Sequence, residues 1–232
     1  MYKNATRAFE LGNRIRQTWS AVSILPMGVS DSKVLLVDGD GDILVRISTE
    51  WNSMRVNDFV EEYTKGGFDF TADSAFMEKF FEIDRVDADN IISRFSTSNG
   101  NKKKVVNIVI FLISVLCIFS NPTMTFDGRL KEILKLTDFK HQRKFTKNEF
   151  VVFLLCCGQA IGSTIAEQFT RPEIEMQIFA SAVFSECRSK SQITFDNIST
   201  YAHKHFSNAQ NTSCETVFQT LNALITKSNT VE

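Results

Sequence analysis

Apolar residues recur at helical spacing along most of the chain from residue 50 onward, and short polar stretches interrupt them. These stretches lie near residues 63–70, 97–104, 121–127, 138–146, 186–193 and 207–213. Apolar positions three and four residues apart are typical of helices that bury one face. The sequence has three prolines and ten glycines, a composition that also favours long regular elements. The pattern therefore predicts a mainly α-helical protein.

The first 49 residues follow a different pattern. Two aliphatic runs, Val34–Val37 and Ile43–Ile47, flank an acidic stretch that contains Asp38, Asp40 and Asp42 with glycines between them. Asp-Gly is typical of a tight turn between two strands. We therefore expect a β-hairpin here, as an N-terminal extension of the helical part.

The same three aspartates make a weak candidate for a metal site. Their spacing of two residues resembles the start of a calcium loop. In such a loop Ile43 would take the position of the usual glycine, and Thr49 the position of the bidentate glutamate. Asp38, Asp40 and Asp42 therefore fit a hairpin turn better than a calcium site.

The polar stretch that begins at Asp138 has the pattern of a helix, a 12-residue loop and a second helix. The expected incoming helix is Arg129–Thr137, and the expected exit helix is the strongly apolar run Val151–Cys157. Phe145 and Thr146 take loop positions 8 and 9. Glu149 stands three residues after Thr146, which predicts a capping box at the start of the second helix.

Three further units follow by register. Position 8 of such a loop is an apolar residue that pairs with its partner loop in a small β-bridge, and the next polar residue caps the exiting helix. The expected loops are 63–74, 99–110 and 186–197, with Phe70, Val106 and Ile193 at position 8. Thr71, Asn107 and Thr194 are the corresponding caps. This register predicts that Phe70 pairs with Val106, and Phe145 with Ile193.

With these features, residues 50–206 resemble the EF-hand superfamily, above all in the stretch LKEILKLTDFKHQRKFTKNEFVVFLL. The spacing of the four units is similar to that of the calcineurin-B and neuronal-calcium-sensor branch. That resemblance implies two lobes of paired hands, in residues 50–120 and 127–206. Residues 1–49 would be an N-terminal extension with the hairpin, and residues 207–232 a C-terminal helix or tail.

The loops lack the ligands that calcium needs. Calcium takes six to eight oxygens, including carboxylates at positions 1, 3 and 5 and a bidentate glutamate at position 12. The third loop keeps Asp138 and Glu149, but Lys140 and Gln142 occupy positions 3 and 5, and Arg143 replaces the glycine that favours the turn. We therefore expect no cofactor. The alternative is weak calcium binding at Asp138 and Glu149, which would make the protein a calcium sensor.

Paired hands form an apolar groove that accepts an amphipathic helix. The sequence has 21 phenylalanines, some of which could line such a groove. The candidates for partner binding are Phe76, Phe80, Phe111, Phe119, Phe153, Phe169 and Phe179. Family members of this type serve as subunits of larger assemblies, including cytoskeletal and ciliary ones. The resemblance thus implies a calcium-independent, cytoplasmic protein-binding scaffold.

Other classes of function find little support. No Gly-rich phosphate loop, GxSxG elbow or HExxH motif occurs, so we expect no catalytic residues and no enzyme. The net charge of −1 gives no basic surface for nucleic acid. The five cysteines form no CxxC pair, which favours reduced, buried thiols. Gly158 and Gly162 have GxxxG spacing, which in this context indicates close packing or a helix end.

The apolar run 105–119 raises the alternative of a membrane-anchored protein, since Lys102, Lys103 and Lys104 precede it. A spanning helix needs about 20 apolar residues. The run is shorter than that, and Asn107 and Ser114 interrupt it. Its length therefore predicts a buried core helix.

Overall fold

The computed structural model describes residues 71–98, 104–118, 125–138, 140–165, 167–206 and 214–230, together with Ile47, Asp58 and Glu61. The helices of 71–230 are α1 (Ser74–Phe81), α2 (Arg85–Phe95), α3 (Ile108–Ile118), α4 (Phe126–Thr137), α5 (Lys147–Thr164), α6 (Glu173–Glu186), α7 (Phe195–His205) and α8 (Cys214–Asn229). The strands there are β1 (Thr71–Ala72), β2 (Ser96–Ser98), β3 (Lys104–Asn107), β4 (Lys144–Thr146) and β5 (Gln192–Thr194). The described part is mainly α-helical, as the apolar pattern predicts.

The N-terminal hairpin can be compared with the structure at one residue. Ile47 is helical and only 2% exposed, so the strand assignment of this residue is wrong. The cluster Asp38, Asp40 and Asp42 lies outside the described residues, as does Phe119.

Strands β4 and β5 form a two-stranded antiparallel sheet that joins two helix-loop-helix units. Phe145 lies directly opposite Ile193, which confirms the predicted pairing. Both side chains are buried. The predicted caps are also confirmed: the hydroxyls of Thr146 and Thr194 accept the backbone N–H groups of Glu149 and Asn197, respectively.

The other sheet has the strand order β1-β3-β2, with all pairs antiparallel. Val106 lies opposite Ala72, so the predicted pairing of Val106 with Phe70 is wrong by two residues. Asp73, and not Thr71, caps α1, because its carboxylate accepts the backbone N–H of Phe76 at 3.0 Å. Strands β2 and β3 pair antiparallel, so residues 104–107 of the expected loop 99–110 form a strand.

Helices α3 and α5 pack closely against each other, although α3 follows strand β3 of one sheet and α5 follows strand β4 of the other. At their crossing the hydroxyl of Ser114 is buried, 3.0 Å from the carbonyl oxygen of Ile110 and 2.9 Å from that of Ala160. Small side chains at this point let the two backbones approach. Buried residues around both sheets therefore form one continuous core.

The apolar run proposed as a membrane anchor contributes to this core. Helix α3 has 11 residues, and Phe111, Leu112 and Ile113 have no measurable exposure. A helix that crosses a bilayer needs about 20 residues. Among the described residues, no helix is both long and apolar enough to cross a membrane.

Candidate functional site

The third loop, Asp138–Glu149, directs both of its terminal carboxylates toward the protein itself. Asp138 is buried, and its two carboxylate oxygens accept the backbone N–H groups of Gln142 at 3.1 Å and Arg143 at 2.6 Å. At the other end, the ammonium of Lys140 lies 2.6 Å from a carboxylate oxygen of Glu149. The lysine thus brings a positive charge of the chain itself to the carboxylate that would bind a cation.

The loop makes its tight turn without a glycine. His141 and Arg143 both have φ of 53°, in the left-handed region. That conformation costs roughly 1–2 kcal/mol for a residue with a Cβ atom. The strain at Arg143 is offset by its contacts: its carbonyl oxygen accepts the N–H of Phe195 at 3.1 Å, and its guanidinium lies 6.0 Å from the centre of that ring. The turn therefore survives the loss of glycine through contacts with α7.

Glu149 has two roles, as partner of Lys140 and as part of the cap of α5. Its Oε2 accepts both the backbone N–H and the hydroxyl of Thr146, each at 2.8 Å. Burial alone would raise the pKa of Glu149, but the hydrogen bonds from Lys140 and Thr146 outweigh it and hold that pKa below its ordinary value of 4.5. The folded state therefore favours the ionised carboxylate.

We expect Glu149→Gln to reduce the loss of stability that acid causes. Because the folded-state pKa is lowered, the stabilisation by the carboxylate is present above the ordinary pKa and is lost as pH falls through the folded value. Urea unfolding between pH 7 and pH 3 would measure this. At pH 7 the variant should be less stable by about 0.5–2 kcal/mol, the usual effect of a weakened cap.

The control for this prediction is Glu167→Gln, which changes an exposed carboxylate outside the loop. It should leave both the stability at pH 7 and its dependence on pH unchanged. Identical pH dependence in the wild-type chain and Glu149→Gln would show that the pairing with Lys140 and Thr146 does not stabilise the folded state.

The fourth loop, Glu186–Asn197, is also closed by contacts within the chain. The carboxylate of Glu186 accepts from Lys204 at 2.6 Å and lies 3.0 Å from Nε2 of His205. These hydrogen bonds, the one from Lys204 first, hold the pKa of Glu186 below its ordinary value. Among the described residues, no group of three or more His, Cys, Asp or Glu side chains could hold a metal ion.

An open cavity of about 450 Å³ lies beside the third loop. Its lining includes Lys131, Glu132, Lys135 and Arg143. Two of its cations have acidic partners, since Lys131 lies 2.7 Å from Asp127 and Lys135 lies 2.6 Å from Glu132. The cavity therefore carries paired charges beside the ring of Phe195, which also lines it.

The predicted partner-binding phenylalanines have different environments. Three of them are core residues: Phe111, Phe153 and Phe179 are 0%, 4% and 2% exposed, so their assignment to a partner surface is wrong. They fill the space between helices and cannot contact another chain in this structure. Phe76 is 37% exposed, and its ring stacks on that of the half-buried Phe80.

Phe169 belongs to a different surface, which we call the helix-binding face. This face is formed by α5, α6 and the segment 167–172, and it holds the C-terminal helix α8. Phe218, Leu221 and Ile225 lie on one side of α8 and are buried against it, at 4%, 6% and 0% exposure. The spacing of three and four residues makes α8 an amphipathic helix. Phe169 contacts Phe218 edge-on, with ring centres 6.1 Å apart.

Two glycines of α5 let the chain approach this closely. A Cβ atom on Gly158 would lie 2.5 Å from the ring of Phe169, and one on Gly162 would lie 2.7 Å from the carbonyl oxygen of Glu167. Real Cβ atoms do not come that near to other atoms, so a larger residue would displace the segment 167–172. The interpretation of Gly158 and Gly162 as a close-packing motif is confirmed.

Polar contacts centred on Arg171 fix the position of α8. Its Nε donates to the side-chain oxygen of Asn222 at 3.0 Å, and Nη2 donates to the hydroxyl of Thr226 at 2.9 Å. The remaining nitrogen, Nη1, pairs with Glu175 of α6 at 3.1 Å. Arg171 therefore ties α8 to α6 at the edge of the apolar contact.

Neither α8 nor Arg171 is among the site residues that the sequence predicts. The apolar spacing of Phe218, Leu221 and Ile225 was visible in the sequence, and it is the signal that could have identified this contact. Nothing local to Arg171 indicates its partners on α8, Asn222 and Thr226, which lie more than 50 residues further along the chain. In comparison with protein-family models, curated proteins and solved structures, the chain shows no match.

Proposed function

We propose that this protein is a calcium-independent, EF-hand-like scaffold that binds an amphipathic helix on the helix-binding face. The observation that carries the proposal is the burial of Phe218, Leu221 and Ile225 of α8 on that face. A surface that buries the apolar side of one amphipathic helix has the shape and chemistry to receive another of similar pattern. In the proposal, α8 holds the place that a partner helix would take.

The EF-hand part of this proposal is supported by local geometry. Phe145 and Ile193 pair at loop position 8, and Thr146 and Thr194 cap the exiting helices. In an EF-hand, the same bridge and caps hold the two loops side by side. The proposed layout is two pairs of hands, with α3 of the first pair packed on α5 of the second.

Calcium independence follows from the third loop. The ammonium of Lys140 is bound to Glu149, and Asp138 accepts backbone N–H groups of the loop. A calcium ion would have to displace the lysine and would gain few carboxylates in return. The loops would thus hold one conformation, and binding of a partner would be constitutive.

We further propose, from the resemblance to the EF-hand superfamily, a binding role and not catalysis. The protein would act in the cytoplasm as a subunit of a larger assembly, with the cytoskeleton or a cilium as the expected location. The partner would be a protein that presents an amphipathic helix.

A labelled peptide of residues 213–230 tests the face directly. We expect it to bind the full chain that carries Leu221→Asp and Ile225→Asp, because these substitutions release α8 from the face. Binding to the wild-type chain should be at least ~10-fold weaker, since its own α8 competes at an effective concentration on the order of mM. Fluorescence anisotropy with calcium, and again with a chelator, should give the same affinities.

Two control peptides make the test specific. A peptide with Leu221→Asp should not bind, whereas one with Ala223→Asp should bind normally, because Ala223 is exposed on the outer side of α8. Circular dichroism would test whether the released variant is folded. The proposal would be overturned by a folded variant that does not bind the peptide, or that binds it only when calcium is present.

A further inference from the structure

Two cysteines that are distant in sequence meet where α8 begins. The thiol of Cys214, the first residue of α8, donates to the carbonyl oxygen of Cys117 near the end of α3, with a sulfur-to-oxygen distance of 3.7 Å. Both side chains are half-buried, and they also interact with each other directly. Nη1 of Arg129 reaches the same carbonyl oxygen at 3.3 Å. The site therefore contains two adjacent thiols and a cation.

We infer that Cys214 and Cys117 form a thiol pair that a hydroperoxide oxidises to a disulfide, which ties α8 to α3. The reaction begins when the thiolate of Cys214 attacks one oxygen of the peroxide and the O–O bond breaks. The other oxygen leaves with a proton as water, or as an alcohol from an organic peroxide. Cys214 is left as a sulfenic acid.

Cys117 completes the reaction. Its sulfur attacks the sulfenic sulfur of Cys214, the S–S bond forms, and the S–O bond breaks with release of water. Two thiols thus lose two electrons and two protons, and hydrogen peroxide is reduced to two molecules of water. The peroxide is the oxidant, and no other reactant is needed.

The surroundings assign a different role to each thiol. In a second, side-chain hydrogen bond the thiol of Cys117 donates to the sulfur of Cys214, which lowers the pKa of Cys214 against the effect of burial, and the positive charge of Arg129 lowers it further. The start of a helix also favours a thiolate. The pKa of Cys117 is raised well above its ordinary value, by the same hydrogen bond and by burial. Cys214 is therefore the attacking thiol and Cys117 the resolving one.

The other cysteines lack this combination. Burial raises the pKa of Cys156 to about 12, and that of Cys157 well above its ordinary value. Cys187, whose pKa is raised by burial and by Glu186, donates to the backbone of Asn197. Cys157 is close enough to Cys117 for its charge to raise the pKa of Cys117. Cys157 is therefore the competing disulfide partner, and an experiment must distinguish a Cys117–Cys157 bond from a Cys117–Cys214 bond.

The disulfide would hold the start of α8 in place. If the helix-binding face receives a partner as proposed, oxidation would make α8 harder to displace and would weaken binding of an added helix. This consequence rests on the proposed function, whereas formation of the disulfide does not.

The test treats the reduced full-length chain with hydrogen peroxide, blocks remaining thiols, and maps disulfides by mass spectrometry of a non-reduced digest. We expect a peptide pair linked through Cys117 and Cys214. In Cys117→Ser, a dimedone probe should label a sulfenic acid at Cys214, while Cys214→Ser should give no label at Cys117. Cys187→Ser is the matched control and should form the same disulfide as the wild-type chain.

Serine is close to cysteine in size, and circular dichroism establishes that each variant is folded. A dominant link between Cys117 and Cys157, or no reaction at Cys214, would overturn the inference. Binding of the 213–230 peptide is then compared between the oxidised and reduced chains, with an expected loss of at least ~10-fold on oxidation. A correct disulfide without this loss would contradict only the link to the helix-binding face, because the mass spectrum is independent of peptide binding.

Discussion

Replacing Ile193 with alanine is expected to lower the free energy of unfolding by about 2–5 kcal/mol. Ile193 has no measurable exposure and lies opposite Phe145 in the sheet that joins the third and fourth helix-loop-helix units. Phe145 in turn contacts the rings of Phe153 and Phe195, with ring centres 5.8 and 5.5 Å apart. The alanine would leave a cavity in the core, which the surrounding side chains fill only in part.

The chain offers a matched control for this prediction. Ile174 is 60% exposed at the start of α6, so Ile174→Ala should change stability by less than about 0.5 kcal/mol. Ile193→Val, which removes one methyl group, should cost about 0.5–1.5 kcal/mol. Urea unfolding followed by circular dichroism measures all three. Equal effects of the two alanine substitutions would mean that Ile193 is not buried in solution, and the paired-loop arrangement would then lose its main support.

The sequence predicts the third and fourth units well because their signals are local. An apolar bridge residue, a threonine cap and a residue three positions later that completes the capping box stand next to one another in both. Such hydrogen bonds fix the start of a helix whatever the rest of the chain does. Thr137 was also the predicted last residue of the helix before the third loop, and α4 ends there.

The predicted register of the first unit is wrong, and the reason is again a short sequence motif. Phe70 followed by Thr71 has the same apolar-then-cap pattern as Ala72 followed by Asp73. The structure uses the second pair, because the carboxylate of Asp73 accepts the helix N–H at Phe76 while Thr71 pairs with Asn107 in the sheet. A short sequence motif cannot distinguish two such frames two residues apart, since both place the apolar residue on the same face of a strand.

Which phenylalanines are buried could not be predicted from the sequence either. Helix α3 is apolar on nearly all sides, so the sequence has no helical periodicity that would show whether Phe111 lies on a buried or an exposed face. Which of these residues is buried depends on the contact of α3 with α5, which joins parts of the chain 46 residues apart. The helix-binding face is also formed by residues that are far apart in the sequence. The neighbours of Arg171 in the sequence therefore do not show that it binds α8.

Restoring two ligand positions and the turn glycine of the third loop is expected to create a calcium site. The variant Lys140→Asp, Gln142→Asp, Arg143→Gly has carboxylates at positions 1, 3 and 5, glycine at position 6, and Glu149 at position 12. It removes the ammonium that now binds Glu149, and it relieves the left-handed strain at Arg143. Calorimetric titration should give a Kd of about 1 mM or lower, whereas the wild-type chain should give no saturable binding at that concentration.

The matched control adds Glu149→Gln to the three substitutions. Glutamine cannot supply the bidentate carboxylate, so this variant should lose most of the new affinity while it keeps the restored turn. The test separates two explanations of calcium independence. Binding by the restored loop would mean that the backbone has the geometry of a calcium loop and that Lys140, Gln142 and Arg143 alone block it. A folded variant that binds no calcium would mean that the loop only resembles an EF-hand in its bridge and caps.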